Sequence, residues 1–322
     1  MMNEFELIEK YFTRSPRRAK LGVGDDCAII APASDMELAV TTDTLISGRH
    51  FFPFVDPRKL GHKALAVSLS DLAAMGATPR YFTLALSLPK VDEDWLQEFS
   101  RGLFNLADSF HCELIGGDTT CGPLSITITA IGELRKPFVL RRDAARAGDD
   151  IWISGTLGDA ALALRVLNKQ AKLPEASFAY VADRLEQPLP RVALGAALRP
   201  LAHAAIDISD GLIGDLKHIL DRSGVGAEVW LECIPVSEVM SSQPLEVQYE
   251  CALAGGDDYE LCFTARPNNR NEIEAAGKEV GVRLTRVGHI SGGEELRLLD
   301  KNGQSAQQLL QQMGLQSYDH FA

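Results

Sequence analysis

The feature that most restricts the fold is a helix with no polar face. From His62 to Arg80 the chain reads HKALAVSLSDLAAMGATPR, and between Lys63 and Thr78 its one charged residue is Asp71. Ala and Leu dominate, with Gly76 and Pro79 to close the run, so the pattern predicts a helix over 63–75. Val67 and Met75 stand at i−4 and i+4 from Asp71, with Ala64, Ser68 and Ala74 on the same side. A helix that is apolar nearly all round is a buried helix. An ionised carboxylate inside it costs several kcal/mol unless a cation meets it. That cation is either a Lys or Arg from elsewhere in the chain, or a metal.

The rest of the sequence favours the metal. Asp recurs beside Gly, Ser or Thr in Gly24-Asp25-Asp26, Thr41-Thr42-Asp43-Thr44, Ser70-Asp71, Gly116-Gly117-Asp118-Thr119-Thr120, Asp207-Ile208-Ser209-Asp210-Gly211 and Gly255-Gly256-Asp257-Asp258-Tyr259-Glu260. Any one of these reads equally as turn chemistry. Six together, each following an apolar run, read as oxygen ligands at the ends of strands and helices, where α/β proteins hold their ligands. Mg²⁺ takes such ligands, keeps several waters, and bridges one or two carboxylates to substrate phosphates. The glycine pairs at 116–117 and 255–256 allow close backbone approach to a phosphate. There is no GxxxxGK[ST] and no strand-linked GxGxxG, so a nucleotide would be held without either device.

Strands and helices alternate along the whole chain. The pattern predicts strands at ELAVTT (37–42), YFTLALSLP (81–89), CELI, 124–134, IWISG, AAIDIS, GAEVWLE, ALAGGDDYELCFTA and VRLTRVGHI. It predicts helices at 4–12, 92–110, about 178–185, 191–201, DGLIGDLKHILDRSG and 268–280. A polar turn, ARAGDD, precedes IWISG. We expect two α/β domains, residues 1–145 and 146–322. FVLRRD before that turn reads as a strand, on which only one of Arg141 and Arg142 can face a site; Arg142 is either a phosphate ligand or a surface arginine. His50, between Arg49 and Phe51, is either a structural residue or a substrate contact.

Net charge is −12, which argues against a general nucleic-acid or anionic-membrane binder. The six cysteines form no CxxC and suggest reduced thiols in a cytoplasmic protein. No Ser-His-Asp arrangement, HExxH or Cys/His ligand spacing is present, so hydrolase and zinc chemistry are poor readings.

GDDCA, TTDTL, HKALAVSLSDLAAMGATP, LIGGDTT, IDISDGL and GGDDYELCFT, in that order and with the ending SYDHF, resemble the thiamine-monophosphate kinase family of the aminoimidazole ribonucleotide synthetase superfamily. The resemblance implies ATP-dependent phosphorylation of thiamine monophosphate to thiamine diphosphate, with several Mg²⁺ ions and room for a monovalent cation. It implies an N-terminal domain that pairs with a second subunit into a dimeric β-barrel, and a C-terminal α/β domain. Carried over by motif, Mg²⁺ falls to Asp26, Thr41, Thr42, Asp43, Asp71, Asp118, Asp207 and Asp210, with Asp43, Asp71 and Asp210 at the centre of catalysis. ATP falls to Gly117, Asp118, Arg142 and Ser209, and thiamine phosphate to His50, Asp258 and Tyr318. Asp257 stands where the family often has Glu. An acceptor that is itself a phosphate is mostly ionised at neutral pH and needs no general base. The task is to bring two polyanions into line, which carboxylate-held Mg²⁺ answers.

Overall fold

A computed structural model describes residues 3–24 and 26–306; Asp25, Tyr318 and the SYDHF ending lie outside the described residues. The chain divides into two compact units. The first holds the chain as far as Leu72 together with Ala77–Pro137, and the second holds Ala73–Gly76 with the chain from Phe138 onward.

The N-terminal unit runs α1 (Glu4–Phe12), β1 (Met36–Ile46), α2 (Pro57–Ala74), β2 (Thr78–Leu88), α3 (Glu93–Ser109), β3 (Glu113–Cys121) and β4 (Ser125–Arg135). Its sheet has the order β1-β4-β2-β3, with β2 and β3 parallel and the other pairs antiparallel. The sheet is mixed and open; no closed barrel exists within the described residues of the single chain. As expected from its sequence, α2 has no polar face along its middle: every residue from Lys63 to Ser70 is buried. It begins earlier than periodicity suggested. Pro57, pre-set for a first helical position, opens it, and the Asp56 carboxylate accepts the Arg58 N–H at 2.8 Å. Gly76, at φ +69°, ends it. Two glycines let α2 and α3 touch backbone to backbone: a Cβ on Gly61 would lie 2.1 Å from Phe99 O, and one on Gly102 1.8 Å from Arg58 O. That contact sets α2, which carries Asp71, closely against α3.

The C-terminal unit runs β5 (Asp150–Ser154), α4 (Asp159–Leu167), α5 (Glu175–Glu186), α6 (Val192–Leu198), β6 (Ala202–Asp207), α7 (Leu212–Ser223), β7 (Gly226–Trp230), α8 (Glu238–Ser241), α9 (Leu245–Ala254), β8 (Leu261–Ala265), α10 (Arg270–Glu279), β9 (Leu284–Ser291) and β10 (Leu296–Leu299). Its six strands have the order β10-β7-β9-β5-β8-β6, parallel only between β10 and β7. Ile151, Ile153, Ile206, Leu216, Ile219 and Val229 anchor a core shared by sheet and helices. Each such side chain, fully buried, contributes about 1.5–3 kcal/mol.

Besides the start of α2, three differences from the sequence expectation involve the acidic motifs or the Arg141–Arg142 segment. β1 continues through Thr42, Asp43 and Thr44 to Ile46, because β-branched Thr suits a strand as well as Val does. ALAGGDDYELCFTA is not one strand: its first residues close α9, and β8 begins only at Leu261. FVLRRD forms no strand either; Arg141 makes a single parallel bridge to Ala204 and pairs with Asp143, with Nε 2.8 Å from Oδ1.

Candidate functional site

In the N-terminal unit the structure brings Thr41, Asp43, Ser68 and Asp71 together. Alternation along β1 points Thr41 and Asp43 toward α2, where Ser68 and Asp71 lie one turn apart. Thr41 Oγ1 donates to Asp71 Oδ2, and Ser68 Oγ donates to Asp43 Oδ2 at 2.7 Å. Burial first, and the charge of Asp71 second, push the Asp43 carboxyl up to about 6. Two carboxylates are thus oriented by hydroxyl donors and repel each other.

The same alternation removes Thr42 from this group. Its hydroxyl lies 2.9 Å from that of Thr129 on the opposite face, as Thr44 does with Thr127. Thr41 and Thr42 are neighbours in a strand, so their side chains lie on opposite faces of the sheet. Asp118 lies inside β3 opposite Ala85, exposed, rather than beyond a strand end. Beside it, a Cβ on Gly117 would sit 1.8 Å from Leu84 O, so only glycine fits there. Asp26 is exposed in the loop between the bridged residues Leu21 and Ile29. His50 is half-buried, and its Nδ1 accepts the Ile46 N–H at 3.0 Å.

In the C-terminal unit Asp207 ends β6 and is 3% exposed, and Ser209 and Asp210 form the turn into α7. Arg142 is exposed in its own turn, its carbonyl accepting from Ser223 Oγ at 2.9 Å. The Ser209 and Asp210 N–H groups both donate to Asp215 Oδ2 at 3.0 Å. Burial, with Asp210's charge adding to it, raises the Asp215 carboxyl to about 7 against the pull of those two N–H groups. Sequence reasoning passed over Asp215; its signal was an Asp four residues after the turn glycine, in the first turn of the helix.

Asp258 is held by the backbone of the Gly158 turn. It is 2% exposed, and both its oxygens accept the Gly158 N–H, at 2.9 and 3.0 Å. Burial pushes its carboxyl well above the ordinary range. Those two bonds tie the GGDDYE motif to the turn before α4. Glu260, which closes the sixth acidic cluster but was assigned no role, is fully buried. It accepts from Arg184 at 2.8 Å, from Arg191 Nε at 2.7 Å and from Ser154 Oγ at 2.5 Å.

Among the described residues no group of three or more His, Cys, Asp or Glu side chains forms a ready-made metal cage. The donor set at Asp43 and Asp71 is of a different kind: two carboxylates and two hydroxyls, all oxygen, with a repulsion that a cation would relieve. That suits Mg²⁺, which dehydrates reluctantly and takes few protein ligands. All six cysteines are free thiols. Among the described residues no helix is long and apolar enough to cross a membrane.

The two-unit fold with these acidic sites is that of the AIR synthase related proteins: residues 24–134 match the N-terminal domain model of that family and 146–301 the C-terminal one. Thiamine-monophosphate kinase of Salmonella typhimurium is 45% identical over 99% of this chain and 98% of its own. The crystal structure of thiamine-monophosphate kinase from Stenotrophomonas maltophilia is 46% identical, with TM-score 0.84 over 90% of this chain and 92% of that one. AaThiL complexed with AMPPCP and TMP is 28% identical, with TM-score 0.74 over 94% of each chain. The chain belongs to the thiamine-monophosphate kinase family.

Proposed function

We propose that this protein transfers the γ-phosphoryl group of ATP to thiamine monophosphate, giving thiamine diphosphate and ADP by direct in-line attack. The observation that carries the reading is the oriented, mutually repelling Asp43–Asp71 pair, in a chain whose relatives at 45% identity are thiamine-monophosphate kinases. The related AaThiL holds AMPPCP and TMP, which supports ATP and thiamine monophosphate as the two substrates.

Asp43 and Asp71 in the N-terminal unit, and Asp207 and Asp210 in the C-terminal unit, are the carboxylates we assign to Mg²⁺, with exposed Asp26 and Asp118 as further ligands. Mg²⁺, when bound, neutralises phosphate charge and aligns the attacking and leaving oxygens. The protein's own part is to hold the oxygens still. Thr41 and Ser68 fix the two carboxylates of the N-terminal pair; Gly117 keeps the β3 backbone close to β2 beside Asp118. Ser209 and Arg142 are assigned to ATP, and His50 to the acceptor. No residue is needed as a base, since the acceptor oxygen is already ionised.

We assign ATP–Mg²⁺ binding and dimerisation to the N-terminal domain, the β1 sheets of two subunits closing a barrel. Support comes from β1 itself, an edge strand with Leu38, Val40 and Ile46 exposed. A sedimentation mass of one chain at micromolar concentration would remove the dimer.

The decisive test is ADP release with ATP and Mg²⁺, comparing thiamine monophosphate, thiamine and formylglycinamidine ribonucleotide. Turnover only with thiamine monophosphate, with thiamine diphosphate among the products, is expected. Turnover only with the ribonucleotide would move the function to purine synthesis on the same fold.

A further inference from the structure

The turn that follows β6 is tied down through its backbone. Ile208 N–H donates to Glu260 O at 2.8 Å, and Tyr259 N–H to Ile208 O at 2.8 Å. Asp257 N–H donates to Ser209 O at 2.9 Å. These bonds carry the β6–β8 pairing beyond Asp207 and use one side of the turn. The glycines remove any slack: a Cβ on Gly256 would lie 2.3 Å from Ser209 O, and one on Gly211 2.8 Å from the Ala254 carbonyl carbon.

The N–H groups of Ser209 and Asp210 both go to one buried carboxylate. Asp215 reaches back past the Gly211 N-cap to Ser209 and Asp210, while its own N–H completes the helix to Gly211 O at 3.0 Å. A capping-box side chain returns to the N-cap N–H itself. This one returns to the two residues before it. A carboxylate at the first turn is also favoured by the helix dipole.

We propose that Asp215 is a positioning residue: from behind the turn it locks the Ser209–Asp210 backbone, so that Asp207, Ser209 and Asp210 meet the Mg²⁺-nucleotide in one arrangement. This rests on the assignment of those residues to Mg²⁺ and ATP. Asp215 is 3% exposed, behind the turn it holds. It acts through the two N–H bonds, and the GGDDY segment supplies the opposing half of the clamp.

The test compares Asp215→Ala and Asp215→Asn in the full chain. Calorimetric titration with AMPPCP and Mg²⁺ reads binding without turnover, and amide exchange reads the Ser209 and Asp210 N–H groups. Asp215→Ala is expected to weaken Mg²⁺-dependent AMPPCP binding at least ~10-fold and to unprotect the two amides, the scale of losing hydrogen bonds made to a charged group. Asp215→Asn keeps an oxygen acceptor and is expected within ~3-fold of the parent in both readings. Equal binding by parent and Asp215→Ala, with only a lower melting temperature, would reduce Asp215 to a fold residue. A fall in Asp215→Asn as deep as in Asp215→Ala would overturn the hydrogen-bond argument. Failure of the kinase reading shows elsewhere, as wild-type protein that binds AMPPCP yet releases no ADP with thiamine monophosphate.

Discussion

The two acidic regions are held by opposite means. At Asp43 and Asp71 side chains hold side chains, through Thr41 and Ser68, across a strand and a helix. At Ser209 and Asp210 the backbone is held, by Asp215 on one side and by the 257–260 segment on the other. The first arrangement costs stability, because its two carboxylates repel each other; the second contributes to the fold. Loss of one carboxylate should therefore have opposite signs in the two regions.

The largest effect belongs to the segment behind the second region. Glu260 is fully buried and is the shared partner of Arg184 and Arg191. Glu260→Ala leaves two guanidinium groups without it, a loss of about 3–5 kcal/mol. The melting temperature should fall by roughly 10 °C. A fall of only a degree or two would mean that the arginines find other acceptors, and that the region is not rigid.

Next comes Asp71→Asn. Turnover should drop at least ~10²-fold, the scale of losing one electrostatic stabiliser. Without divalent cation, however, this variant should melt no lower than the parent at pH 7.5, because the charge that pushes Asp43 up is gone. The sign follows from linkage. A carboxyl held at about 6 when folded, against 3.8 when unfolded, binds its proton more tightly in the folded state. Its contribution to stability therefore falls as pH rises from about 4 to 6. Asp215, at about 7, adds a slope of the same sign. Only the difference between parent and Asp71→Asn isolates the pair: the parent should lose more stability across that window. Parallel pH curves, or near-normal turnover in Asp71→Asn, would take Asp71 out of the proposed site.

What was legible in the sequence divides along the same line. The unbroken run around Asp71 announces a buried helix because every one of its faces is apolar, and that can be read from spacing alone. The alternation of strands and helices likewise announces the fold class. Asp215 bonds a turn only five and six residues away, but hydrophobic periodicity does not register a cap; Glu260 acts on Ser154, Arg184 and Arg191, which only the fold brings near. Asp257 shows a third case. It adopts φ +68° and accepts the Tyr259 O–H at 3.1 Å. Asp tolerates that left-handed backbone better than most residues, and its short side chain suits the near hydroxyl. A short carboxylate thus fits this turn.

The smallest effect is the finest test of how the first region is built. Thr41 and Thr42 differ in sequence position by one and in orientation by a whole sheet face. Thr41→Val removes the donor that orients Asp71, and turnover should fall about 10-fold, the cost of one hydrogen bond to a charged group. Thr42→Val removes only a cross-strand hydroxyl contact with Thr129, worth a few tenths of a kcal/mol, and turnover should stay within ~2-fold. Steady-state rates at saturating ATP and Mg²⁺ distinguish the two. Equal losses would mean that Thr42 serves the metal after all, through a strand that twists on binding. Equal silence would mean that Asp71 keeps its orientation without Thr41, held by the close contact of α2 and α3 alone.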